Sequence, residues 1–182
     1  MPDELCLSTV CLIPMDRRGD MGDSNNYRGI ALSSIICKIV DLVVLSRYYD
    51  SLVTSELQFG FKPGHSTGMC TMILKEVVSY YNSHTSSVYC TFLDASKAFD
   101  RGNYTKMFQG LIERNLPPVV IRFLLHMYTG HKTRVSWNKV YSDVFAISNG
   151  VRQGGILSPI LFCVYINDFI LRLQKSNKGC FI

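Results

Sequence analysis

Apolar residues recur at helical spacing in five segments of the chain, and these segments predict five helices. Glycine and proline residues mark where several of them begin or end. Ser158 and Pro159 are predicted to be the N-cap and the first residue of the last helix. The predicted helices run from Ser34 to about Ser55, from Ser66 or Thr67 to about Tyr81, from Tyr104 to Asn115, from Val119 to Tyr128 and from Ser158 to about Leu173.

The apolar spacing also predicts which side of the first two helices is buried. In the first helix this side consists of Ile35, Ile36, Ile39, Val40, Val43, Val44 and Tyr48. In the second helix it consists of Met69, Met72, Ile73, Val77 and Tyr80.

β-Branched and aromatic residues are concentrated in short runs that predict strands. The predicted strands are Leu5 to Ile13, Val88 to Leu93, and a hairpin of Thr133 to Trp137 with Val140 to Ile147 around Asn138 and Lys139. The polar, glycine-containing stretch from Asp16 to Asn26 predicts a loop. Helices and strands are mixed without regular alternation, which favours an α+β fold.

The composition is typical of a chain that buries a core, because 47% of the 182 residues are apolar and 18% are charged. No apolar run approaches the ~20 residues that a membrane-spanning helix needs. The first 25 residues lack the ordered basic start, apolar stretch and cleavage site of a secretory signal. We therefore expect neither a membrane protein nor a secreted one.

Positive charge is concentrated in the second half of the chain. Residues 1–91 contain 7 basic and 9 acidic side chains, whereas residues 92–182 contain 12 basic and 5 acidic ones. A basic half suits a polyanion such as nucleic acid, although many enzymes with other substrates have comparable charge. The seven scattered cysteines have no zinc-site spacing and are predicted to be reduced, buried thiols.

Two segments contain the residue types of a chemical site. Asp94 follows the predicted strand Val88 to Leu93; an acid at a strand end is suited to hold a metal ion, although it is more often a turn former or a helix cap. Gly154 and Gly155 allow a ligand to approach the backbone closely, and the N-terminus of the following helix favours phosphate. Neither segment alone identifies a function.

Four blocks in order are more specific than any one of them. They are N-Y-R-G-I-A-L (Asn26 to Leu32), Q-F-G-F-K-P-G-H-S-T (Gln58 to Thr67), F-L-D-A-S-K-A-F-D (Phe92 to Asp100) and G-V-R-Q-G-G-I-L-S-P-I-L-F (Gly150 to Phe162), followed by Y-I-N-D (Tyr165 to Asp168). Together they resemble the reverse transcriptase of non-LTR (LINE-type) retrotransposons, and the resemblance runs from about residue 12 to the end of the chain.

The resemblance implies an RNA-directed DNA polymerase with the fingers, palm and thumb of a right hand. We expect residues 1–87 to form a fingers-like part and residues 88–182 a partial palm, with the thumb absent. The implied partners are an RNA template, a DNA primer and deoxynucleoside triphosphates, and the implied cofactor is Mg²⁺. Lineage alone points to the nucleus or the cytoplasm, and the oligomeric state stays open.

The resemblance also implies roles for single residues. Asp94 matches the catalytic aspartate that binds two magnesium ions. Phe99 matches the residue beneath the sugar of the incoming nucleotide, although an isolated phenylalanine here is equally typical of a core ring. Gln153 and Gly154 match a position that contacts the nucleotide and the template, although a glutamine in a loop is also typical of solvent exposure.

Two basic residues match the family's pattern, and one of its motifs is absent. Arg28 and Lys62 match fingers residues near the triphosphate or the template, but both are also typical of ordinary surface cations. The family's aromatic-x-Asp-Asp turn, which supplies another metal-binding carboxylate, is not present before Ile182. We therefore expect little or no polymerase activity from this chain alone. The alternatives are a non-catalytic nucleic-acid-binding remnant of a retroelement and an α+β domain with only an interaction role.

Overall fold

A computed structural model describes residues 6–179, which form one mixed β-sheet, five α-helices and two short 3-10 helices. The strands are β1 (Leu7–Pro14), β2 (Tyr27–Leu32), β3 (Lys132–Trp137), β4 (Val140–Tyr141) and β5 (Phe145–Ala146). The helices are α1 (Ile35–Leu52), α2 (Thr67–Ser83), α3 (Tyr104–Glu113), α4 (Pro118–Thr129) and α5 (Ser158–Lys175). The 3-10 helices are Ser24–Asn26 and Ala98–Arg101. This mixture confirms the predicted α+β class.

The sheet joins strands from both halves of the chain. Its order is β2-β1-β3-β4, and β5 also pairs with β3. β1 is antiparallel to β2 and parallel to β3, so that Thr9 lies opposite Leu32 on one side and Arg134 on the other. The predicted hairpin is confirmed in part. Asn138 and Lys139 form its two-residue turn, with φ angles of 47° and 66°, but the predicted strand Val140 to Ile147 is divided into β4 and β5, which both pair with β3.

The core lies among α1, α3, α4 and α5, and all five predicted helices are confirmed. α3 packs against α4 and α5, and α5 also packs against α1. The side chains of Leu111, Leu124, Leu157 and Leu161 are fully buried at these contacts. The helices therefore form the packed body of the molecule, and the sheet lies beside them.

The buried side of α1 differs from the predicted one. Cys37, Asp41, Val44 and Leu52 are buried, whereas most of the predicted face is exposed to solvent. The apolar residues of this helix lie on all sides of it, so their spacing does not select one side. The buried side is the one on which Asp41 contacts the second half of the chain and Cys37, Val44 and Leu52 join the core.

α2 begins where it is predicted, but its predicted face is not buried. The Ser66 hydroxyl caps the helix by accepting a hydrogen bond from the Met69 backbone N–H at 3.1 Å. None of the residues of α2 is buried, because no element of residues 6–179 packs extensively against it. The predicted buried face is therefore wrong, although the helix itself is confirmed.

The predicted strand Val88 to Leu93 is wrong. These residues have no regular structure, and Tyr89 is 93% exposed. A strand requires hydrogen bonds to a neighbouring strand, and no strand within residues 6–179 pairs with this segment. The composition of the segment predicts a strand only if a neighbouring strand lies beside it, and none of the described strands does.

The prediction that the cysteines are buried is confirmed only in part. None of the described cysteines forms a disulfide. Cys6, Cys37 and Cys163 are buried, whereas Cys70 and Cys90 are exposed, so burial was predicted for too many of them. Cys180 lies outside the described residues.

Between residues 6 and 179, none of the helices has the length and apolar character needed to span a bilayer.

Candidate functional site

Three segments that are far apart in the sequence meet at one cleft between the sheet and the helices. The Val151 N–H donates to the Phe99 carbonyl oxygen at 2.7 Å, and the Ala31 N–H donates to the Gln153 carbonyl oxygen at the same distance. These backbone hydrogen bonds join β2, the 3-10 helix Ala98–Arg101 and the loop before α5. The cleft has a volume of about 280 Å³ and is lined by Val10, Gly29, Ala31, Asp100, Tyr104, Ile147, Asn149, Gly150, Val151, Arg152 and Gln153.

The polar groups of the cleft are Gln153, Asp100 and Tyr104. The Gln153 side-chain amide donates from Nε2 to Asp100 Oδ1 over a long 3.4 Å, so a ligand could replace either partner at little cost. The Tyr104 hydroxyl donates to the Asn149 carbonyl oxygen at 3.4 Å. Burial raises the pKa of Tyr104 to about 12, and the neighbouring Tyr128 adds to this rise. Tyr104 therefore stays a neutral hydrogen-bond donor.

Gly154 makes the approach of the loop to β2 possible. Its φ angle is +103°, a backbone conformation that residues with a side chain rarely adopt. A Cβ atom at this position would lie 2.7 Å from the Ala31 carbonyl oxygen. Only glycine therefore brings the backbone of this loop against β2 without displacing the strand.

Phe99 is half-buried beneath the cleft in an aromatic cluster. Its ring centroid lies 4.9 Å from that of Phe162 and 6.1 Å from that of Phe61. The three rings come from three of the four sequence blocks, so their packing connects these blocks. Phe99 thus has the packing of a core ring and a position at the edge of the candidate site.

A buried ion pair between Arg152 and Asp41 lies directly behind the cleft. Arg152 Nη2 is 3.8 Å from Asp41 Oδ1, and the guanidinium carbon lies 5.2 Å from the centre of the Tyr128 ring. Burial raises the pKa of Asp41, and the charge of Arg152 partly counteracts this rise. Because Tyr128 and Asp41 also favour the charged form of Arg152, the guanidinium stays protonated.

Asp41 also occupies the N-terminal end of α5. Its Oδ2 atom accepts hydrogen bonds from the Ile156 and Leu157 backbone N–H groups at 3.2 and 3.4 Å. The prediction of Ser158 as N-cap is wrong: Leu157 stands at the cap, and Ser158 is the first helical residue. The negative charge that a helix N-terminus favours is supplied here by a carboxylate of α1, where the sequence suggested a phosphate.

A comparison with protein families identifies the family of this chain. Residues 17–182 match the family model described as reverse transcriptase (RNA-dependent DNA polymerase). The chain belongs to this family. The predicted resemblance to reverse transcriptases of non-LTR retrotransposons is confirmed, because matched relatives come from such elements.

Three relatives illustrate how this reverse transcriptase chain compares with longer proteins. The Pol polyprotein of the type-2 retrotransposable element R2DM of Drosophila melanogaster is 28% identical over 154 residues, which are 85% of this chain and 14% of the relative. The probable RNA-directed DNA polymerase from transposon X-element of the same species is 30% identical over 79% of this chain and 16% of the relative. The Pol polyprotein of the element R2 of Nasonia vitripennis is 27% identical over 94% of this chain and 16% of the relative. The chain therefore spans about a seventh of the length of these relatives.

Asp94 lies apart from the cleft, in the irregular segment that follows α2. It is exposed to solvent and belongs to no strand. Reverse transcriptases as a family use divalent metal ions, which require several oxygen ligands. Within residues 6–179, no three His, Cys, Asp or Glu side chains are arranged to hold a metal ion. The described residues therefore do not fit a two-magnesium centre.

Arg28 and Lys62 also lie away from the cleft. Arg28 is exposed on β2, and because side chains alternate along a strand it lies on the opposite face from Gly29 and Ala31. The Lys62 ammonium donates to the carbonyl oxygens of Thr54 and Ser55 at 2.8 and 2.7 Å. Of the predicted site residues, the structure thus brings together Gln153, Gly154 and, beneath them, Phe99.

Sequence reasoning missed Asp41 and the role of Arg152. Arg152 stands inside the recognised block, but nothing in the block says that its side chain is buried. Asp41 carries a weak signal, because it is the one charged residue in the apolar run from Ile39 to Leu45. A charge in such a run is rarely buried without a partner, and this partner lies 111 residues further along the chain.

Proposed function

We propose that this chain forms the nucleotide- and template-contacting part of an RNA-directed DNA polymerase. In this proposal residues 1–87 are a fingers-like part and residues 88–182 a partial palm. The observation that carries the proposal is the convergence of three sequence blocks of the family on one cleft through backbone hydrogen bonds. Such bonds hold a site on rigid backbone, as precise positioning of a substrate requires.

Within this cleft, Gln153 and Gly154 contact the incoming deoxynucleotide and the template. The Gln153 amide supports this role because its bond to Asp100 is long enough to be exchanged for a bond to a ligand. The backbone at Gly154 has no side chain that would keep a base or sugar at a distance. Phe99, held by Phe61 and Phe162, supplies a firm apolar support at the position that we assign to the sugar.

The exposed face of the sheet supports nucleic acid as a partner. Arg28 lies opposite Ile13, and Arg134 lies opposite Thr9, which places both arginines on the same face of the sheet. The Arg134 guanidinium carbon is 4.1 Å from the centre of the Tyr141 ring, and its Nε atom donates to Thr9 Oγ1 at 3.3 Å. Two such arginines suit phosphate groups of an RNA template.

The test measures binding of dTTP to the chain in the presence of a poly(rA) template and an oligo(dT) primer. Gln153→Ala is expected to weaken dTTP binding about fivefold to tenfold, since one or two hydrogen bonds are lost. Gln174→Ala is the control, because Gln174 is an exposed glutamine near the end of α5. Equal affinities of the two variants would contradict the proposed site.

A non-catalytic nucleic-acid-binding remnant is the second candidate, and the position of Asp94 favours it. An exposed carboxylate on an irregular segment is not held at a fixed position. The two candidates differ in a primer-extension assay with Mg²⁺: a polymerase loses its activity in Asp94→Ala, whereas a remnant has none to lose and binds RNA equally in both forms. For the isolated chain we expect RNA binding with little or no extension, so dTTP binding that depends on Gln153 then distinguishes the two candidates.

A further inference from the structure

Asp41 is a fully buried carboxylate that the proposed contacts with substrate do not use. It is 1% exposed, and both of its oxygens face the loop that carries Gln153. Oδ2 accepts the Ile156 and Leu157 N–H groups, and Oδ1 lies beside the Arg152 guanidinium. One side chain of α1 therefore contacts the loop on both sides of Gln153 and Gly154.

The same loop is held from its other side by β2. The Gln153 carbonyl oxygen accepts the Ala31 N–H at 2.7 Å, and β2 leads into α1 after only Ser33 and Ser34. Gln153 and Gly154 thus lie in a loop that is held by two consecutive elements of the chain, β2 and α1. The strand fixes the backbone of Gln153, and Asp41 fixes the residues next to it.

Asp41 is the carboxylate that compensates the charge of Arg152, and the Tyr128 ring also favours the charged form. Two of its nitrogen atoms, Nε and Nη1, are buried without a hydrogen-bond partner, and Nη2 contacts Met127 Sδ at 3.8 Å in addition to Asp41. Removal of one partner from a buried ion pair leaves an uncompensated charge, which is strongly destabilising. Because Gln153 directly follows Arg152, a movement that returns the Arg152 guanidinium to water also displaces Gln153.

We propose that Asp41 is a positioning residue that holds Gln153 and Gly154 in their substrate-contacting orientation. It does so by compensating the charge of Arg152 and by accepting the amides of Ile156 and Leu157. The proposal rests on the proposed function for the role of Gln153. The predicted effect is therefore on the deoxynucleotide, whereas the arginines of the exposed sheet face continue to bind the template–primer.

The experiment uses the full chain with three variants: Asp41→Leu, the double variant Asp41→Leu with Arg152→Met, and Asp50→Asn. Asp50 is an exposed aspartate on the same helix and serves as the matched control. Replacement of both members of a buried ion pair by apolar residues is often neutral for stability. The double variant therefore separates loss of stability from loss of positioning, because it has no buried charge and still lacks the acceptor for the two amides.

Binding of dTTP and of a poly(rA)–oligo(dT) template–primer is measured for each variant. Misplacement of a contact by about 1 Å can reduce its effect up to ~100-fold, so we expect dTTP affinity to fall at least about tenfold in the double variant. Template–primer affinity is expected to change less than about twofold, and thermal stability to fall less than in Asp41→Leu, because no uncompensated buried charge remains. A stable double variant with wild-type dTTP affinity would overturn the proposal.

Hydrogen exchange of the wild-type chain tests the proposal without any variant and without substrate. The Ile156 and Leu157 amides are expected to exchange at least about tenfold more slowly than the amides of the irregular residues 88–93, because the carboxylate protects them. Rapid exchange of both amides would overturn the proposal, even if Asp41→Leu does not fold. If the wild type binds no dTTP but protects these amides, the proposed function fails and the anchoring of the loop by Asp41 stands.

Discussion

Gly154 is a position at which the loop beside the cleft leaves no room for a side chain. Gly154→Ala is expected to lower the free energy of unfolding by about 1–3 kcal/mol, because it combines a strained φ angle with the contact to the Ala31 carbonyl oxygen. Gly64→Ala is the control, since Gly64 has a φ of +74° and no neighbour within 4 Å. Urea unfolding of both variants measures the difference, and equal losses would show that the approach to β2 is not tight.

His131 makes the stability of the protein depend on pH. Its Nε2 atom lies 2.9 Å from Ser8 Oγ, and burial, with a contribution from Arg152, lowers its pKa from 6.5 to about 4. Because the unfolded chain binds the proton first, stability is complete above pH ~6.5 and is lost as the pH falls towards ~4, by up to about 3 kcal/mol. Unfolding free energies measured across this range test the prediction.

The control for this pH dependence is the exposed His84. His131→Gln is expected to flatten the loss of stability between pH 6.5 and 4, whereas His84→Gln leaves it as in the wild type. A wild-type curve that is already flat over this range would contradict a buried, neutral His131.

Single residues were predictable where their role is local and not where it depends on a distant partner. Gly154 and Phe99 stand inside recognised blocks, and the structure places both next to residues that line the cleft. Asp41 acquires its role only from Arg152, and Lys62 is held by two carbonyl groups that no spacing reveals. Tertiary contacts of this kind are not encoded in a short window of sequence.

The two sides of α1 differ in their contribution to stability, and two leucines on the helix provide a matched pair. Leu52→Ala is expected to cost about 2–5 kcal/mol of unfolding free energy, because Leu52 is 3% exposed and lies in the core. Leu42→Ala removes the same atoms from a side chain that is 51% exposed, and we expect a loss below about 1 kcal/mol. Similar losses in thermal or urea unfolding would contradict the assignment of the buried side.

Helices were predicted better than strands, for reasons that particular elements make clear. A helix is stabilised by its own hydrogen bonds and caps, as at Ser66 in α2, whereas a strand depends on its neighbours. β2 was missed because Gly29 interrupts its alternation; the Cβ of any other residue there would lie 2.9 Å from Val10 Cγ1 on β1. The run Val88 to Leu93 has the opposite character, a strand-like composition without a paired neighbour.

The two arginines on the exposed face of the sheet, Arg28 and Arg134, predict RNA binding that weakens with salt. Each arginine that contacts a phosphate contributes to the slope of log K against log salt, so Arg28→Ala and Arg134→Ala are each expected to reduce that slope by about 1. Arg172→Ala is the control, because Arg172 is exposed and pairs with Asp168 at 2.8 Å on α5. Filter binding at several salt concentrations measures the slopes, and unchanged slopes in the first two variants would contradict the sheet face as the RNA-binding surface.

The parallel pairing of β1 with β3 predicts that the two halves of the chain stay together after proteolytic cleavage between them. A protease is expected to cleave first within residues 88–93, which have no regular structure and are mostly exposed, and the cut separates β1 from β3 in sequence. The sheet and the contact of α1 with α5 still join the two pieces, so they are expected to elute together in gel filtration and to separate only in denaturant. Two separately expressed fragments divided at this point should therefore reassemble by complementation into one particle.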